Sequence, residues 1–237
     1  MPETIAAVIF DFDGVIVHSE PLHYRAFREI AEQEQLALTE REYYEQYIGF
    51  DDRGAWTKMF ERNGRPLDSA TLSRLVERKA RVVRELIHRR QYHALPGVED
   101  LVRGLCTNCP LAICSGALRD EIEGMLEGIG LRECFGVIVS AEDVEVGKPD
   151  PSGYLLATRR LSDRIARTIT PEQCLVVEDA PTVIERAKQA GFKTLAVATT
   201  YTPDRLTVAD RVVKSLRPEE VLSAYPALRW SCGPVSS

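Results

Sequence analysis

Two aspartates, Asp11 and Asp13, follow the apolar run Ile5–Phe10 and precede Gly14. The run is typical of a buried strand, and side chains two residues apart along an extended segment point the same way. Active sites of open α/β sheets gather at the carboxyl ends of their strands, and Gly14 allows a sharp turn there. An aspartate that only caps a turn explains the same pattern, so the motif needs support from elsewhere in the chain.

Two further motifs could hold an anion such as a phosphate. Ser115 and Gly116 follow the apolar run Leu111–Cys114, and a hydroxyl with loop amides at a strand end suits a phosphate oxygen. Lys148 precedes Pro149, which biases the lysine away from helical backbone. Its ammonium can neutralise a carboxylate and hold a phosphate. A plain strand-to-helix turn and an exposed loop lysine are the alternatives.

A second pair of acids, Glu178 and Asp179, follows the apolar run Leu175–Val177. Carboxylates at a strand end suit a hard cation with oxygen ligands, most simply Mg²⁺. The alternative is a helix start, since acidic residues are favoured in a first helical turn and Pro181 follows closely.

The elements that must position these motifs are short apolar runs alternating with amphipathic, helix-like stretches. Strands are expected at Ile5–Phe10, Leu111–Cys114, Val137–Val139, Leu175–Val177 and Thr194–Val197, and helices at Leu118–Gly128, Ser152–Arg164 and Thr182–Ala190. The alternation predicts an α/β fold with a Rossmann-like parallel sheet covered by helices on both faces. The motifs would then share the carboxyl edge of that sheet.

One region breaks the alternation, because the chain reads as nearly all helix from Ser19 to about Tyr92. Ser19 is a candidate N-cap with Pro21 in the first turn. We predict a discontinuous α/β catalytic core at residues 1–17 and 94–228. An α-helical cap domain is expected at 18–93, with its two crossing segments acting as a hinge, and a C-terminal tail at 229–237.

The order of the motifs resembles the haloacid-dehalogenase-like hydrolase superfamily, most closely its branch of small phosphatases and β-phosphoglucomutases. The signature is the strand-embedded Asp-Phe-Asp-Gly-Val, then Ser, Gly-Lys-Pro-Asp-Pro and Glu-Asp, with a helical insert after the first motif. The resemblance runs from about Ala6 to Val213. An acid at Asp13 suits an alcohol leaving group that needs a proton, which disfavours a dehalogenase.

This resemblance implies a role for each residue of the core motifs. Asp11 would attack phosphorus and become an aspartyl phosphate, while Asp13 would protonate the leaving oxygen and later deprotonate the acceptor. Mg²⁺ would lie between Asp11, the backbone carbonyl of Asp13 and Asp179, with Glu178 close by. The phosphoryl oxygens would be held by Ser115, Gly116 and Lys148. The family commonly has Ser or Thr and then Gly where this chain has Ala180 and Val183.

Substrate choice is expected to depend on the inserted helices. Three of their residues, His23, Arg53 and Lys79, resemble the substrate contacts of phosphoglucomutases, with Arg53 in the run Gly49–Arg53. The stretch Arg74–Arg90 is rich in basic residues and could attract an anionic substrate. A packed histidine and the solvated face of a helix are the alternatives.

Composition and hydropathy argue against some classes of binding partner. The net charge of −6 argues against a non-specific nucleic-acid binder. No apolar run reaches the roughly 20 residues that span a bilayer, and the N-terminus does not resemble a signal peptide. We therefore expect a cytoplasmic protein without a membrane partner, monomeric by default. The six cysteines are expected to be reduced, and the single CxxC at Cys106 and Cys109 lacks the further ligands of a zinc site.

The expected function is a phosphoric monoester hydrolase: a magnesium-dependent phosphatase acting on a small phosphorylated metabolite, such as a sugar phosphate, through an aspartyl phosphate. A β-phosphoglucomutase is the first alternative, differing only in what receives the phosphoryl group. A catalytically inactive binding or regulatory protein on the same fold is the second.

Overall fold

The computed structural model of the chain describes residues 5–47, 50 and 52–230. Six strands share one sheet: β1 (Ala7–Phe10), β2 (Leu111–Cys114), β3 (Val137–Val139), β4 (Cys174–Glu178), β5 (Lys193–Val197) and β6 (Arg211–Val213). The α-helices of the described residues are α1 (Glu20–Gln33), α2 (Glu40–Gln46), α3 (Asp52–Arg62), α4 (Ser69–His88), α5 (Val98–Cys106), α6 (Arg119–Gly128), α7 (Ser152–Arg164), α8 (Pro181–Gln189) and α9 (Pro218–Ala224).

The sheet has the order β3-β2-β1-β4-β5-β6, and every pairing is parallel. This confirms the predicted Rossmann-like α/β fold. The chain moves outward from β1 to β3 and then crosses back to β4, so the strand order reverses between β1 and β4. In such sheets the crevice at the carboxyl ends of the two strands flanking the reversal is the usual ligand site.

The strands β1 to β5 are almost entirely buried, which explains their continuous apolar character. All four residues of β1 have no exposed surface, and consecutive side chains of a strand point to opposite faces. On one face, Ala7 and Ile9 join a core cluster with Tyr154 of α7 and Ala187 of α8. In a sheet covered on both faces, polar residues are expected where the strands end. The acids that follow β1 and that stand at the end of β4 lie at the carboxyl ends of those strands.

Three elements were not predicted from the sequence: α5, α9 and β6. Two of the three residues of β6 are exposed, and it begins with a charged arginine, so it shows no apolar run. The strand lies at the edge of the sheet and pairs with β5, and this backbone pairing defines it. The other strands were predicted to within a residue or two at each end.

The chain divides into two compact units, the described residues of Met1–His18 with His93–Ser237, and those of Ser19–Tyr92. Within the first unit, the two segments that lead to and from the helices run side by side. The backbone N–H of His18 donates to the carbonyl of His93 at 3.2 Å, and that of Leu95 to Ile16 at 2.9 Å. The hinge role of these segments stays a prediction.

The second unit contains α1 to α4 around an aromatic core. Phe27 of α1 packs against Trp56 of α3 with ring centroids 5.0 Å apart. Leu75 of α4 belongs to the same cluster and is fully buried. Ser19 occupies the N-cap position of α1, but its side chain makes no capping hydrogen bond, because its backbone is already helical. The predicted N-cap position of Ser19 and Pro21 in the first turn are therefore confirmed, although the Ser19 side chain contributes no capping bond.

The five cysteines among the described residues are free thiols, and Cys232 lies outside those residues, as does the end of the predicted tail. In the part of the chain that the structure describes, no helix has both the length and the apolar character required to cross a bilayer.

Asp143 stabilises the segment that follows β3 by accepting hydrogen bonds from three donors. Its carboxylate accepts hydrogen bonds from Arg119 of α6 at 2.5 Å, from Arg160 of α7 at 2.9 Å and from the backbone of Ser140 at 2.8 Å. Burial alone would raise the pKa of Asp143, but these donors outweigh it and lower the pKa to about 2. The ionised carboxylate therefore stabilises the folded chain.

We expect Asp143→Asn to lower the free energy of unfolding by up to about 2 kcal/mol at pH 7. Because the folded pKa lies below the usual 3.8, the contribution is present above about pH 4 and is lost as the pH falls toward 2. Urea unfolding at pH 7 and at low pH measures the difference. Asp163→Asn, at an exposed position of α7, is the control. An equal loss at both pH values would contradict the assignment.

Candidate active site

Asp11 is the first residue after β1 and lies at the point where the strand order reverses. Its backbone N–H donates to the carbonyl of Val177 in β4 at 2.9 Å, which fixes the nucleophile candidate beside the end of that strand. Its carboxylate is buried, with 7% of the residue exposed. The first predicted motif therefore occupies the crevice between β1 and β4.

Lys148 joins the two acidic motifs. Its Nζ donates to Oδ1 of Asp11 at 2.5 Å and to Oε1 of Glu178 at 2.8 Å. The hydroxyl of Tyr154 donates to the same Glu178 oxygen at 3.1 Å, and the ammonium lies 5.0 Å from the centre of the tyrosine ring. The loop lysine predicted from Gly-Lys-Pro thus lies half-buried between two carboxylates and is not an exposed loop residue.

The charges of this cluster are tightly coupled. Burial raises the pKa of Asp11 well above its usual range, against the opposing effect of Lys148, and Glu178 and Asp179 raise it further. Burial by itself would lower the pKa of Lys148, but the carboxylates of Asp11 and Glu178 raise it well above its usual range. The lysine therefore remains an ammonium, and the raised pKa of Asp11 reflects burial and repulsion between neighbouring carboxylates, which a bound cation would relieve.

Glu178 and Asp179, at the end of β4, are held by different donors. Oε2 of Glu178 accepts the backbone N–H groups of Asp179 at 2.8 Å and of Ala180 at 2.7 Å. Oδ2 of Asp179 accepts the hydroxyl of Thr200. Burial and the neighbouring Glu178 raise the pKa of Asp179 to about 7. The hydrogen bonds hold the side chains of Glu178 and Asp179 in place.

The departures at Ala180 and Val183 leave these carboxylates supported. The N–H of Ala180 still serves Glu178, and α8 begins at the next residue without a side-chain cap. Val183 is buried in the core cluster between the sheet and the helices. A hydroxyl and a glycine at these positions are not needed for the backbone contacts that orient the acids.

Three carboxylates could hold a metal ion. Asp11, Glu178 and Asp179 each offer an oxygen within 4.8 Å of the others, and all three residues are buried. Oxygen donors with excess negative charge are what Mg²⁺ prefers. This donor set fits the predicted magnesium site, while the contribution expected from the backbone carbonyl of Asp13 stays a prediction.

Asp13 and the first anion motif also meet at this edge. The hydroxyl of Ser115 lies 3.4 Å from Oδ2 of Asp13 and accepts the backbone N–H of Ala117 at 3.0 Å. Ser115 is held beside β3 through its own N–H, which donates to Val139 at 2.9 Å. Gly116 follows with open space on its side-chain face. The structure thus brings together the six predicted side chains of the core: Asp11, Asp13, Ser115, Lys148, Glu178 and Asp179.

Two of the three candidate substrate residues of the helical unit are neighbours. Nζ of Lys79 lies 2.8 Å from Nδ1 of His23 and donates to Asp52 at 2.6 Å. Burial and this ammonium lower the pKa of His23 to about 3, so its ring is neutral at physiological pH. The third, Arg53, has an exposed side chain, while Gly49 and Asp51 of its motif lie outside the described residues. Substrate binding by the three residues stays a prediction.

Three supporting residues were missed by the sequence reasoning. Thr199 donates to the carbonyl of Gly14 at 2.5 Å, Thr200 donates to Asp179, and Tyr154 donates to Glu178. The available signal was a pair of threonines directly after a predicted strand, at the same edge as the acids. Tyr154 gave no signal, because a tyrosine inside a helix is most often a core residue.

Gly14 is required by its surroundings as well as by its turn. Its φ is +77°, a conformation that favours glycine. A Cβ there would lie 2.2 Å from Oδ2 of Asp179 and 3.1 Å from the hydroxyl of Thr200. The turn after the first aspartates therefore packs directly against the second acidic motif.

Comparison with known proteins agrees with this geometry. The model of the family described as haloacid dehalogenase-like hydrolase matches residues 8–197. A phosphorylated carbohydrates phosphatase of Thermotoga maritima is 30% identical over 92% of this chain and 96% of its own length. Fructose-1-phosphate phosphatase YqaB of Escherichia coli is 31% identical, over 83% of this chain and 98% of its own.

A solved structure from Thermotoga maritima, described provisionally as a β-phosphoglucomutase, is 30% identical with a TM-score of 0.73. The match covers 93% of this chain and all of that one. The phosphatase names of the curated relatives support the prediction of a phosphoric monoester hydrolase, and the structural match agrees with the predicted branch.

We expect Gly14→Ala to reduce phosphate release by about 100-fold, because the new methyl group displaces Asp179 and small displacements at a site cost on that order. Gly64→Ala is the matched control. Its φ of +62° imposes a similar backbone strain, but no atom lies within 4 Å of the added carbon. Release of phosphate from an aryl phosphate measures both. Equal losses in the two variants would show that backbone strain, and not the acid contact, matters.

Proposed function

Because this chain belongs to the haloacid dehalogenase-like hydrolase family, we propose that it is a magnesium-dependent phosphatase of small phosphorylated metabolites, working through an aspartyl phosphate on Asp11. The observation that carries the proposal is the half-buried contact of Lys148 with both Asp11 and Glu178. It brings a nucleophile candidate and a cation together at the reversal of the strand order.

The chemistry starts from a problem of charge, since an anionic carboxylate must approach an anionic phosphate. Lys148 offsets part of that repulsion, and its ammonium can remain hydrogen-bonded to the phosphoryl oxygens during the transfer. A Mg²⁺ ion held by Asp11, Glu178 and Asp179 would supply further positive charge when bound. One oxygen of Asp11 then bonds to phosphorus while the substrate oxygen leaves, and water later hydrolyses the aspartyl phosphate.

The proton transfers are assigned to Asp13. Its carboxyl group donates a proton to the leaving alcohol oxygen and takes one from the attacking water in the second half of the reaction. The hydroxyl of Ser115, 3.4 Å from Asp13, and the loop at Gly116 are placed to orient the phosphate. Without an acid at position 13, the alcohol would have to leave as an unprotonated alkoxide.

The proposed substrate is a sugar phosphate. Two relatives that match most of this chain are named for phosphorylated carbohydrates and for fructose 1-phosphate. In the helical unit, the neutral ring of His23 and the buried ammonium of Lys79 form a polar pair that could bind sugar hydroxyls, and Arg53 could bind a further anionic group. A monomer in the cytoplasm, with no nucleic-acid partner, is proposed from composition.

A β-phosphoglucomutase is the second candidate, favoured by the Thermotoga maritima structure described under that name. Both enzymes would use the same aspartyl phosphate, and they differ in whether water or a sugar phosphate accepts the group. Supplying glucose 1-phosphate with a bisphosphate activator separates them. Glucose 6-phosphate formed faster than free phosphate would overturn the phosphatase proposal.

We expect Asp11→Asn to abolish phosphate release from an aryl phosphate, because it removes the nucleophile and so the covalent route. Lys148→Ala should lower kcat by about 100- to 1,000-fold, the usual cost of one preorganised charged contact. Chelation with EDTA should stop the reaction, and added Mg²⁺ should restore it.

The matched control is Lys188→Ala. Lys188 lies on α8 and pairs with Asp210 at 2.7 Å, apart from the acids of the candidate active site. It should keep full activity. Activity that survives in Asp11→Asn would overturn the assignment of the nucleophile. No release by the wild type from a broad panel of phosphorylated metabolites with Mg²⁺ would favour the inactive binding protein.

A further inference from the structure

Several cysteines gather at the amino edge of the sheet, the edge opposite the acids. Cys106 ends α5 shortly before β2 begins, and Cys134 ends a short 3₁₀ turn shortly before β3 begins. Cys109 lies between Cys106 and β2. None of these thiols has a role in the reaction proposed above.

Cys106 and Cys134 lie on neighbouring elements, because α5 contacts the turn Arg132–Cys134. The two thiols interact, although 28 positions separate them in the chain, and the Cys106 thiol also donates to the carbonyl of Arg103 at 3.4 Å. Both residues are partly exposed and, together with Cys109 and Arg164, line an open cavity of about 350 Å³. Two accessible thiols that interact within such a cavity can react with a small molecule and then with each other.

The other described cysteines are less accessible to a small disulfide. Cys109, Cys114 and Cys174 are buried, whereas Cys106 and Cys134 are partly exposed. A buried thiol is inert. Burial also raises the pKa of the Cys134 thiol to about 12, so the accessibility of the thiols, and not their pKa, separates the pair from the other cysteines. The thiol of Cys109 also faces the carbonyl of Pro110, at 3.7 Å. The sequence motif CxxC therefore does not pair with itself, and Cys106 instead meets Cys134.

A metal site does not account for the cluster. Among the described residues, the three carboxylates of the active site are the group whose metal-type donors all lie within 4.8 Å of one another. The cysteines do not form such a group, whereas a disulfide needs only two sulfurs whose Cβ atoms can approach to about 4 Å.

We propose that Cys106 and Cys134 form a reversible dithiol–disulfide site that reacts with small disulfides such as oxidised glutathione. The thiolate of Cys106 attacks one sulfur of the disulfide, which breaks its S–S bond and releases one glutathione thiolate. That thiolate accepts the proton of Cys134. The sulfur of Cys134 then attacks the Cys106 sulfur and releases the second glutathione. The protein loses two electrons and two protons, and the oxidant becomes two molecules of glutathione.

The site lies at the amino edge of β2 and β3, whereas Ser115 and the acids lie at the carboxyl edge. The new bond would link the end of α5 to the turn before β3, and these elements already contact each other. Oxidation should therefore leave phosphate release within about twofold of the reduced protein. This position also keeps a failure of the thiol proposal separate from a failure of the phosphatase proposal.

The test uses the full chain, first reduced and then treated with oxidised glutathione. Free thiols are alkylated, and the intact mass and the cross-linked peptides are measured. We expect two fewer alkylated thiols per chain, no retained glutathione, a Cys106–Cys134 peptide, and full reversal by dithiothreitol. Retained glutathione without a cross-link, or a Cys106–Cys109 link, would overturn the proposal.

Two variants sharpen the result. Cys134→Ser should stop at the first step and retain one glutathione on Cys106, while Cys109→Ser should form the disulfide as the wild type does. Loss of the cross-link in Cys109→Ser would contradict the assigned pair. Oxidation of the urea-unfolded chain should scatter the pairing, and a Cys106–Cys134 link formed equally well there would show that the fold does not direct it.

Discussion

The ammonium of Lys148 is the interaction on which the active site depends. Three buried carboxylates, those of Asp11, Glu178 and Asp179, lie close enough to share one ion, and their mutual repulsion opposes folding. Lys148 contacts two of them, which offsets part of that repulsion, because a buried charge is tolerated only when it is paired and hydrogen-bonded. A cation held by the three acids would relieve the repulsion that remains.

The parallel sheet makes this concentration of charge possible. Since the central strands are buried on both faces, their side chains are mostly apolar, and the acids lie where β1 and β4 end. The register aligns Phe10 of β1 with Ile113 of β2 and with Val177 of β4. The residues that follow these strands therefore emerge side by side. Residues more than a hundred positions apart thus converge without long connecting loops.

The two edges of the same sheet have different chemistry. At the carboxyl edge, the ends of β1 and β4 bring together the buried carboxylates of Asp11, Glu178 and Asp179. At the amino edge, helix ends and short turns bring two partly exposed thiols together. Because the sheet separates the two edges, a covalent change at one does not have to disturb the other. The helical unit has its own core, and its polar pair of His23 and Lys79 is fixed by Asp52 within that unit.

The sequence determined much of this by itself. Three of the motifs, those at Asp11, Ser115 and Glu178, follow a short apolar run that is typical of a buried strand, so the parallel sheet and the shared edge of the acids followed from local pattern. The helical insert was equally visible from its lack of alternation. The exposed strand β6 was not, because its pairing with β5 comes from the backbone and leaves no apolar pattern.

Tertiary structure alone decided the contacts that complete the sites. Thr200 reaches Asp179, and Tyr154 reaches Glu178, because separate elements meet at one edge. Cys106 likewise meets Cys134 and not its neighbour in the CxxC motif. Residue type and local spacing fix which element a side chain belongs to, but they carry no information on which distant side chain lies opposite. That is set by packing between elements, which a single sequence does not record.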